Sequence, residues 1–272
     1  MTTPAVLITV ILLIVGGALL LASFLRNTRL KKVIAAPFPD EWEKIIRSNL
    51  PPYSKFPHQL RHELNNYVKI FMAEKNFEGC GGLTLDEEIK ITIAAQACML
   101  LLNRKSKCYQ RLQTILVYPS TYVAGKKGLF SQEDNESARL GESWNTGVIV
   151  LAWDSVRKGC TNFDDGHNVT LHEFAHQLDQ EDGSADGAPI LGRMSAYSAW
   201  AAVLSKEYEE LKLKKDKGRK SLMDKYGATN PAEFFAVATE TFFEKPEQLK
   251  KKHPELYDEL HSFYNVNPEN WK

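Results

Sequence analysis

One uncharged segment near the N-terminus constrains most strongly how this chain can fold. Residues 5–25 read AVLITVILLIVGGALLLASFL and contain no charged side chain. A helix rises about 1.5 Å per residue, so these 21 residues match the roughly 30 Å hydrocarbon core of a bilayer. A cleaved signal peptide has a basic start and a shorter apolar run, whereas residues 1–4 carry no basic side chain. The segment predicts one N-terminal transmembrane helix that anchors the protein in a membrane.

The charges beside this segment predict its orientation. Arg26, Arg29, Lys31 and Lys32 follow it, and no basic side chain precedes it. Lys and Arg next to a membrane span stay on the cytoplasmic side. The four cysteines are irregularly spaced and form no CxxC pattern, which fits a reducing compartment. We therefore expect a single-pass membrane protein whose main domain faces the cytoplasm.

Beyond the anchor at 5–25, the sequence predicts a short linking segment and one folded domain. Residues 26–57 are punctuated by prolines and are expected to be a juxtamembrane segment. Residues 58–272 contain no repeat and no long flexible linker, so they are expected to form a single domain. The chain has 34 basic and 34 acidic residues, and direct binding of nucleic acid is therefore not expected.

This domain is expected to combine helices with a small sheet. Patterning predicts two helices and two strands in its first half, the helices at 60–77 and 84–103 and the strands at 114–118 and 144–153. The second helix is expected to begin at Thr84, with a capping box to Glu87, and to be buried because it is apolar nearly all round. A loop or short hairpin is expected between the strands, and mainly helix after residue 164. These elements favour an α+β class.

The sequence HEFAH at 172–176 contains candidate metal ligands and a candidate general base. His172 and His176 are four residues apart, so they lie on one helix face and can reach one ion. Imidazole nitrogen is a good zinc ligand. Glu173 can approach metal-bound water as a general base without binding the metal. The alternative is a helix whose histidines only form hydrogen bonds; in either case Asn168 is the predicted N-cap and Gly183 the predicted end.

A catalytic zinc ion usually has three protein ligands and one open position. Downstream, Asn230 is a candidate N-cap and Pro231 suits the first position of a helix. Glu233 is then either a capping-box carboxylate or the third ligand. Glu240 lies seven residues further on the same helix face and is the rival ligand. Spacing alone leaves this choice open.

Together the two blocks resemble a family of zinc-dependent peptidases typified by the Mlc titration factor. The shared motifs are HEFAH, the following Leu-Asp and Asp-Gly pairs at 178–179 and 186–187, and YGATNPAEFFA at 226–236. The last block is also similar to the catalytic domain of anthrax lethal factor. The resemblance extends over about residues 40–270 and includes GESW at 141–144 and AAQA at 94–97.

The resemblance implies a zincin-like fold and a zinc peptidase acting on a peptide or protein substrate. It implies that His172, His176 and Glu233 bind one zinc ion, that Glu173 activates water, and that Tyr226 donates a hydrogen bond to the oxyanion. It leaves open whether the enzyme is an aminopeptidase or an endopeptidase. The strand predicted at 144–153 is either an edge that pairs with an extended substrate or an ordinary core strand.

Two other functions compete with this one. The resemblance also implies capture of a DNA-binding transcription repressor, in which case the chain is a binding module and the metal site is secondary. A purely structural zinc site is disfavoured, because no fourth Cys or His stands at a suitable spacing.

Three further features have ordinary interpretations. Asp179 is either an acceptor for a ligand histidine or, as we favour, the solvated end of the helix. His167 is expected to be a polar loop residue and not a ligand. The basic cluster at 212–220 is expected to be a solvated loop, with contact to anionic lipid headgroups as the alternative.

Overall fold

The computed structural model describes residues 3–104, 108–121 and 147–271. By its internal contacts the chain forms two compact units, Met1–Phe38 and Pro39–Lys272. The first unit is dominated by one helix, and the second contains the sheet and the remaining helices.

The first unit contains helix α1, Thr3–Ala35. It continues ten residues past the predicted span, because residues 26–35 contain no Gly or Pro and the first proline that follows is Pro37. Large apolar side chains along it are exposed, including Leu13 at 71% and Leu20 at 75%. Val6–Ala35 is long and apolar enough to cross a membrane.

The second unit begins with two helices and a 3-10 turn. These are α2 at Asp40–Asn49, a 3-10 turn at Pro51–Lys55, and α3 at His58–Glu74. The sequence predicts a helix as far as residue 77, but α3 ends at Glu74 because strand β1, Asn76–Gly79, starts two residues later. A four-residue strand is too short to give a recognisable alternation, and sequence analysis misses it.

The sheet has three parallel strands in the order β1-β2-β3, with β2 at Thr114–Tyr118 and β3 at Val148–Ala152. Ile115 is the register partner of Phe77 on one side and of Ile149 on the other. Strand β2 has the predicted bounds. The strand predicted at 144–153 is shorter, since Trp153 already begins helix α5, Trp153–Thr161. Residues 144–146, the expected loop and GESW at 141–144 lie outside the described residues.

Helix α4, Glu87–Met99, lies in the core as predicted. Every residue from Ile91 to Met99 is buried, together with Ile89. It begins three residues after the predicted start at Thr84, because the Asp86 side chain caps it by accepting from the Ile89 amide at 2.8 Å. Thr84 is therefore wrong as the start of this helix.

The rest of the chain is mainly helical, as predicted. It contains α6 at Val169–Asp179, α7 at Ala196–Asp216, α8 at Pro231–Glu244, α9 at Pro246–Lys252 and α10 at Pro254–Tyr264. Short 3-10 turns occur at Gln180–Asp182, Lys225–Ala228 and Pro268–Trp271. Gly183 follows α6 and its 3-10 turn in a left-handed conformation, φ 107°, and ends this element as predicted.

Helices α6 and α8 pack against each other in the core. Ala232–Glu244 of α8 are all buried. On α6, Phe174 packs against Phe71 and Tyr109, with ring centroids 5.7 and 5.0 Å away. This aromatic cluster fixes the rotation of α6 about its axis, so the opposite face is presented to α8. The protein is thus mainly helical with a small sheet, as the predicted α+β class requires.

Candidate metal centre

Local capping places the HEFAH segment in a helix. The Asn168 side chain accepts from the amides of Thr170 and Leu171, each at 3.1 Å, and so caps α6 as predicted. His172 and His176 then lie one turn apart, with their Nε2 atoms separated by 3.2 Å.

Helix α8 brings Glu233 to the two histidines. Asn230 caps this helix by accepting from the Glu233 amide at 2.9 Å, and Pro231 is its first residue, both as predicted. Glu233 Oε2 lies 2.9 Å from His172 Nε2 and 3.4 Å from His176 Nε2. The ligand atoms of all three residues are within 4.8 Å of one another. These three residues can therefore hold a metal ion.

Glu240 has a different place in the same cluster. Its Oε1 lies 2.8 Å from His172 Nδ1, on the side of the ring away from Glu233. Its other oxygen accepts from the backbone amide of Asn168. Glu240 therefore holds the imidazole and the start of α6 together, and its oxygens face neither Nε2 atom.

The lone pairs and negative charge of this cluster are arranged to bind a cation. His172 Nδ1 donates to the Glu240 carboxylate, so a neutral His172 ring carries its lone pair on Nε2. That nitrogen lies 2.9 Å from Glu233 Oε2, which is also an acceptor. Two acceptors at this distance repel unless a positive charge lies between them. A proton or a metal ion satisfies this requirement, and two imidazoles with one carboxylate form a common zinc ligand set.

The pKa values show how strongly these groups interact without a metal. Burial by itself lowers the pKa of His172, but its hydrogen bonds with Glu233 and Glu240 outweigh burial and raise that pKa well above its usual value. Burial lowers the pKa of His176 to about 4. Burial would raise the pKa of Glu233, yet the hydrogen bonds from the histidines bring it down to about 2. Glu233 is therefore an anion between two imidazoles.

The two predicted catalytic residues line one cleft together with His172. The cleft has a volume of about 370 Å³, and its walls include His172, Glu173, Tyr226 and Glu240. Glu173 is buried, with 8% of its surface exposed, whereas Tyr226 is 38% exposed. The Tyr226 ring centroid is 6.0 Å from that of His172. The structure thus brings the tyrosine-bearing segment to the histidines.

Asp179 differs from the favoured expectation of a solvated helix end. It is fully buried, and its Oδ2 accepts from the Gly187 amide at 2.9 Å. Gly187 has φ +77°, and a Cβ there would lie 2.4 Å from the Pro231 carbonyl oxygen. The Asp179–Gly187 bond therefore fastens the end of α6 to the start of α8, a packing relation that spacing in the sequence does not reveal.

Of the remaining polar features, His167 follows its ordinary interpretation and the basic cluster at 212–220 does so only in part. His167 lines the cleft but does not belong to the ligand cluster. In the basic cluster at 212–220, residues 212–216 belong to α7, so the expectation of a loop is wrong for them. Lys212 pairs with Glu209 and Lys214 with Glu210 along this helix. Among the described residues, no fourth His, Cys, Asp or Glu joins the three candidate ligands.

Two residues near the site, Asp224 and Glu244, have roles that the sequence did not predict. Asp224 caps the 3-10 turn that carries Tyr226, accepting from the Tyr226 amide at 2.8 Å. An Asp two residues before a turn is a known local signal and was available in the sequence. Glu244 is fully buried and accepts from the amides of Gly166 and His167. No local pattern indicates this, since 76 or more residues separate Glu244 from the turn it binds.

Comparison with known proteins places the chain in a family. The family of glucose-regulated metallo-peptidases M90 matches residues 24–265. An uncharacterized protein of Synechocystis sp. is 40% identical over 245 residues, which cover 88% of this chain and 89% of the relative. Mlc titration factor A of Serratia proteamaculans is 33% identical over 238 residues, covering 84% and 87%. Mlc titration factor A of Yersinia pestis is 27% identical over 235 residues, covering 84% and 85%. The predicted resemblance is confirmed, and the chain belongs to the glucose-regulated metallo-peptidase M90 family, together with the Mlc titration factors.

Proposed function

We propose that this protein is a zinc-dependent peptidase with a zincin-like catalytic domain, anchored in a membrane by residues 5–25. The observation that carries the proposal is the convergence of His172, His176 and Glu233 from two helices, beside a cleft that is lined by His172 together with Glu173 and Tyr226. The family's description as metallo-peptidases supports it.

His172, His176 and Glu233 would hold the zinc ion. Two imidazole nitrogens and one carboxylate oxygen are a ligand set that zinc prefers, and three protein ligands are typical of a catalytic site. When bound, zinc supplies a Lewis acid that polarises a peptide carbonyl and makes water more acidic. Glu240 fixes the His172 ring through Nδ1, which leaves Nε2 free to face the ion.

The chain's own residues perform the proton transfers. Glu173 takes a proton from the attacking water and returns it to the nitrogen of the leaving amine. The Tyr226 hydroxyl donates a hydrogen bond to the carbonyl oxygen as negative charge develops on it. The burial of Glu173 keeps bulk water away from the transferred proton.

The test of this proposal is Glu173→Gln in the detergent-solubilised full chain. The amide keeps the shape of the side chain but accepts no proton, so zinc content stays at one ion per chain and turnover falls by about 10²–10⁴-fold. Elemental analysis and cleavage of an internally quenched peptide library measure the two quantities. Glu247→Gln, an exposed glutamate on α9, is the matched control. Cleavage by the Glu173 variant at the wild-type rate would remove the proposal.

A second candidate function comes from the names of the relatives. Mlc titration factor A is named for titration of Mlc, and we propose capture of a transcription repressor as the alternative task of this chain. Retention of Mlc by immobilised Glu173→Gln protein as strong as that by wild type would show that binding does not need the peptidase chemistry. Cleavage of the bound repressor by wild type alone would instead make it a substrate.

A further inference from the structure

Asp224 uses both of its carboxylate oxygens at the mouth of the cleft. Oδ1 accepts from the backbone amide of Tyr226 at 2.8 Å. Oδ2 lies 3.2 Å from Nδ1 of His167. One side chain therefore joins the tyrosine-bearing turn to the segment that precedes the HEFAH helix.

The His167 end of this link is rigidly held. The His167 amide donates to Asp165 Oδ1 at 2.9 Å and to Glu244 Oε2 at 3.2 Å. Glu244 also accepts from the Gly166 amide at 2.9 Å and from Asn168 Nδ2 at 3.1 Å. Since Glu244 is buried in α8, this turn cannot shift without breaking bonds to the core.

The Tyr226 end lies on a turn whose buried residues Gly227 and Ala228 pack against α7 and α8. Tyr226 lies on a single 3-10 turn, and its ring is partly exposed. Its carbonyl oxygen accepts from the amide and the hydroxyl of Thr229, at 3.0 and 2.6 Å. Both bonds lie within the turn, so they shape the turn without placing it against α6.

We propose that the Asp224–His167 pair is a clasp that positions Tyr226 over the candidate metal site; this rests on the proposed peptidase function. Asp224 and His167 are positioning residues, because they act on the reaction through the Tyr226 hydroxyl. The clasp ties the turn that carries Tyr226 to the same segment whose Asn168 caps α6. The Tyr226 hydroxyl, which is the proposed oxyanion donor, is thereby held at a fixed position relative to α6.

The clasp is expected to affect rate more than stability. Both side chains are partly exposed, at 52% and 37%, and exposed ion pairs contribute little to folding. A misplaced catalytic group, in contrast, costs up to about 10²-fold in rate. Loss of the clasp should therefore lower kcat by about tenfold while KM and the melting temperature stay nearly constant.

The experiment compares variants of the zinc-loaded full chain on one internally quenched peptide that wild type cleaves. His167→Ala should lower kcat, and His167→Gln, whose amide can still donate to Asp224, should restore part of it. His58→Ala, an exposed histidine on α3, is the matched control. In a Tyr226→Phe background, His167→Ala should have no further effect. An additive effect there, or a change confined to KM, would overturn the clasp.

A second measurement tests the clasp without an assay of peptidase activity. Amide hydrogen exchange of residues 225–229 should be faster in His167→Ala than in wild type, and unchanged in His58→Ala. Equal exchange in all three would overturn the proposal. If wild type cleaves no peptide, the proposed function fails, while the exchange rates still decide whether the clasp orders Tyr226.

Discussion

His172 is held from two sides by carboxylates of the same helix. Glu233 faces its Nε2 at 2.9 Å, and Glu240 faces its Nδ1 at 2.8 Å. The two glutamates are seven residues apart on α8, so they lie on one face, and the imidazole spans the gap between them. The geometry therefore supports one as metal ligand and the other as the group that orients the ring.

This difference predicts distinct outcomes for two substitutions. Glu233→Ala should lose stoichiometric zinc, because it removes one of three ligands. Glu240→Gln keeps an oxygen that can accept from Nδ1, so it should retain zinc with an affinity lower by about tenfold, the lower end of the usual range for partners of ligands. Elemental analysis measures the zinc content of both variants, and titration with a chelator measures their zinc affinity. Equal zinc retention in the two variants would argue against a metal site built on Glu233.

Asp179 predicts a dependence of stability on pH. Burial raises its pKa to about 7, although the Gly187 amide bond opposes the rise. Because the folded pKa lies above the ordinary value of 3.8, the folded state prefers the protonated form. The contribution of Asp179 to stability is complete below about pH 4 and is lost as the pH rises through 7.

Asp179→Asn should therefore change the pH profile. Asn does not titrate and can still accept from Gly187, so its melting temperature relative to wild type should rise between pH 4 and pH 8. Thermal unfolding followed by circular dichroism measures the difference. Asp258→Asn, an exposed residue on α10, should show no such trend. A difference that is the same at every pH would contradict the assigned pKa.

At the scale of the elements, α1 differs from the core helices α4 and α8 in what it exposes. Its leucines, isoleucines and valines face outward along its length, whereas α4 and α8 bury theirs. An apolar helix exposed all round is stable in hydrocarbon and not in water. This supports the proposal that α1 spans a membrane.

Two arginines in the middle of α1 should abolish the anchor. Leu13→Arg with Leu20→Arg adds about 2.5–3.5 kcal/mol of insertion cost for each charge near the centre. Wild type should stay in the membrane pellet after alkaline extraction, and the double variant should leave it. Leu213→Arg, a similarly exposed leucine on α7, should behave as wild type.

The orientation of α1 in the membrane is checked with the same membrane preparations. Protease added to sealed vesicles with the cytoplasmic face outward should digest the part of the chain after α1. Protection of that part would contradict the orientation proposed from Arg26, Arg29, Lys31 and Lys32.

At the scale of the whole molecule, the candidate metal site joins α6 and α8 of the larger unit. An ion bound only by the folded chain stabilises it by about 2.7 kcal/mol at a concentration one hundred times its Kd. Chelation of zinc should therefore lower the melting temperature of wild type, and restored zinc should raise it again. The melting temperature of Glu233→Ala should not respond. A response of equal size in the variant would place the stabilising ion elsewhere.

Much of the architecture follows from the sequence because its causes are local. The uncharged run gives α1, strand β2 has its predicted bounds, and Asn168, Gly183, Asn230 and Pro231 begin or end helices where their conformational preferences require it. The spacing of His172 and His176 likewise follows from helix geometry alone.

What only the tertiary structure decided depends on segments far apart in the chain. The sequence by itself determined α1, the caps of α6 and α8 and the spacing of the two histidines, since caps, periodicity and hydrophobicity act over a few residues. It left Glu233 and Glu240 equivalent, because residues seven apart share a helix face, and it misplaced Asp179 in solvent. The crossing of α6 and α8 distinguishes the two glutamates, buries Asp179 and brings Asp224 to His167, because a carboxylate takes its role from the groups that packing sets beside it.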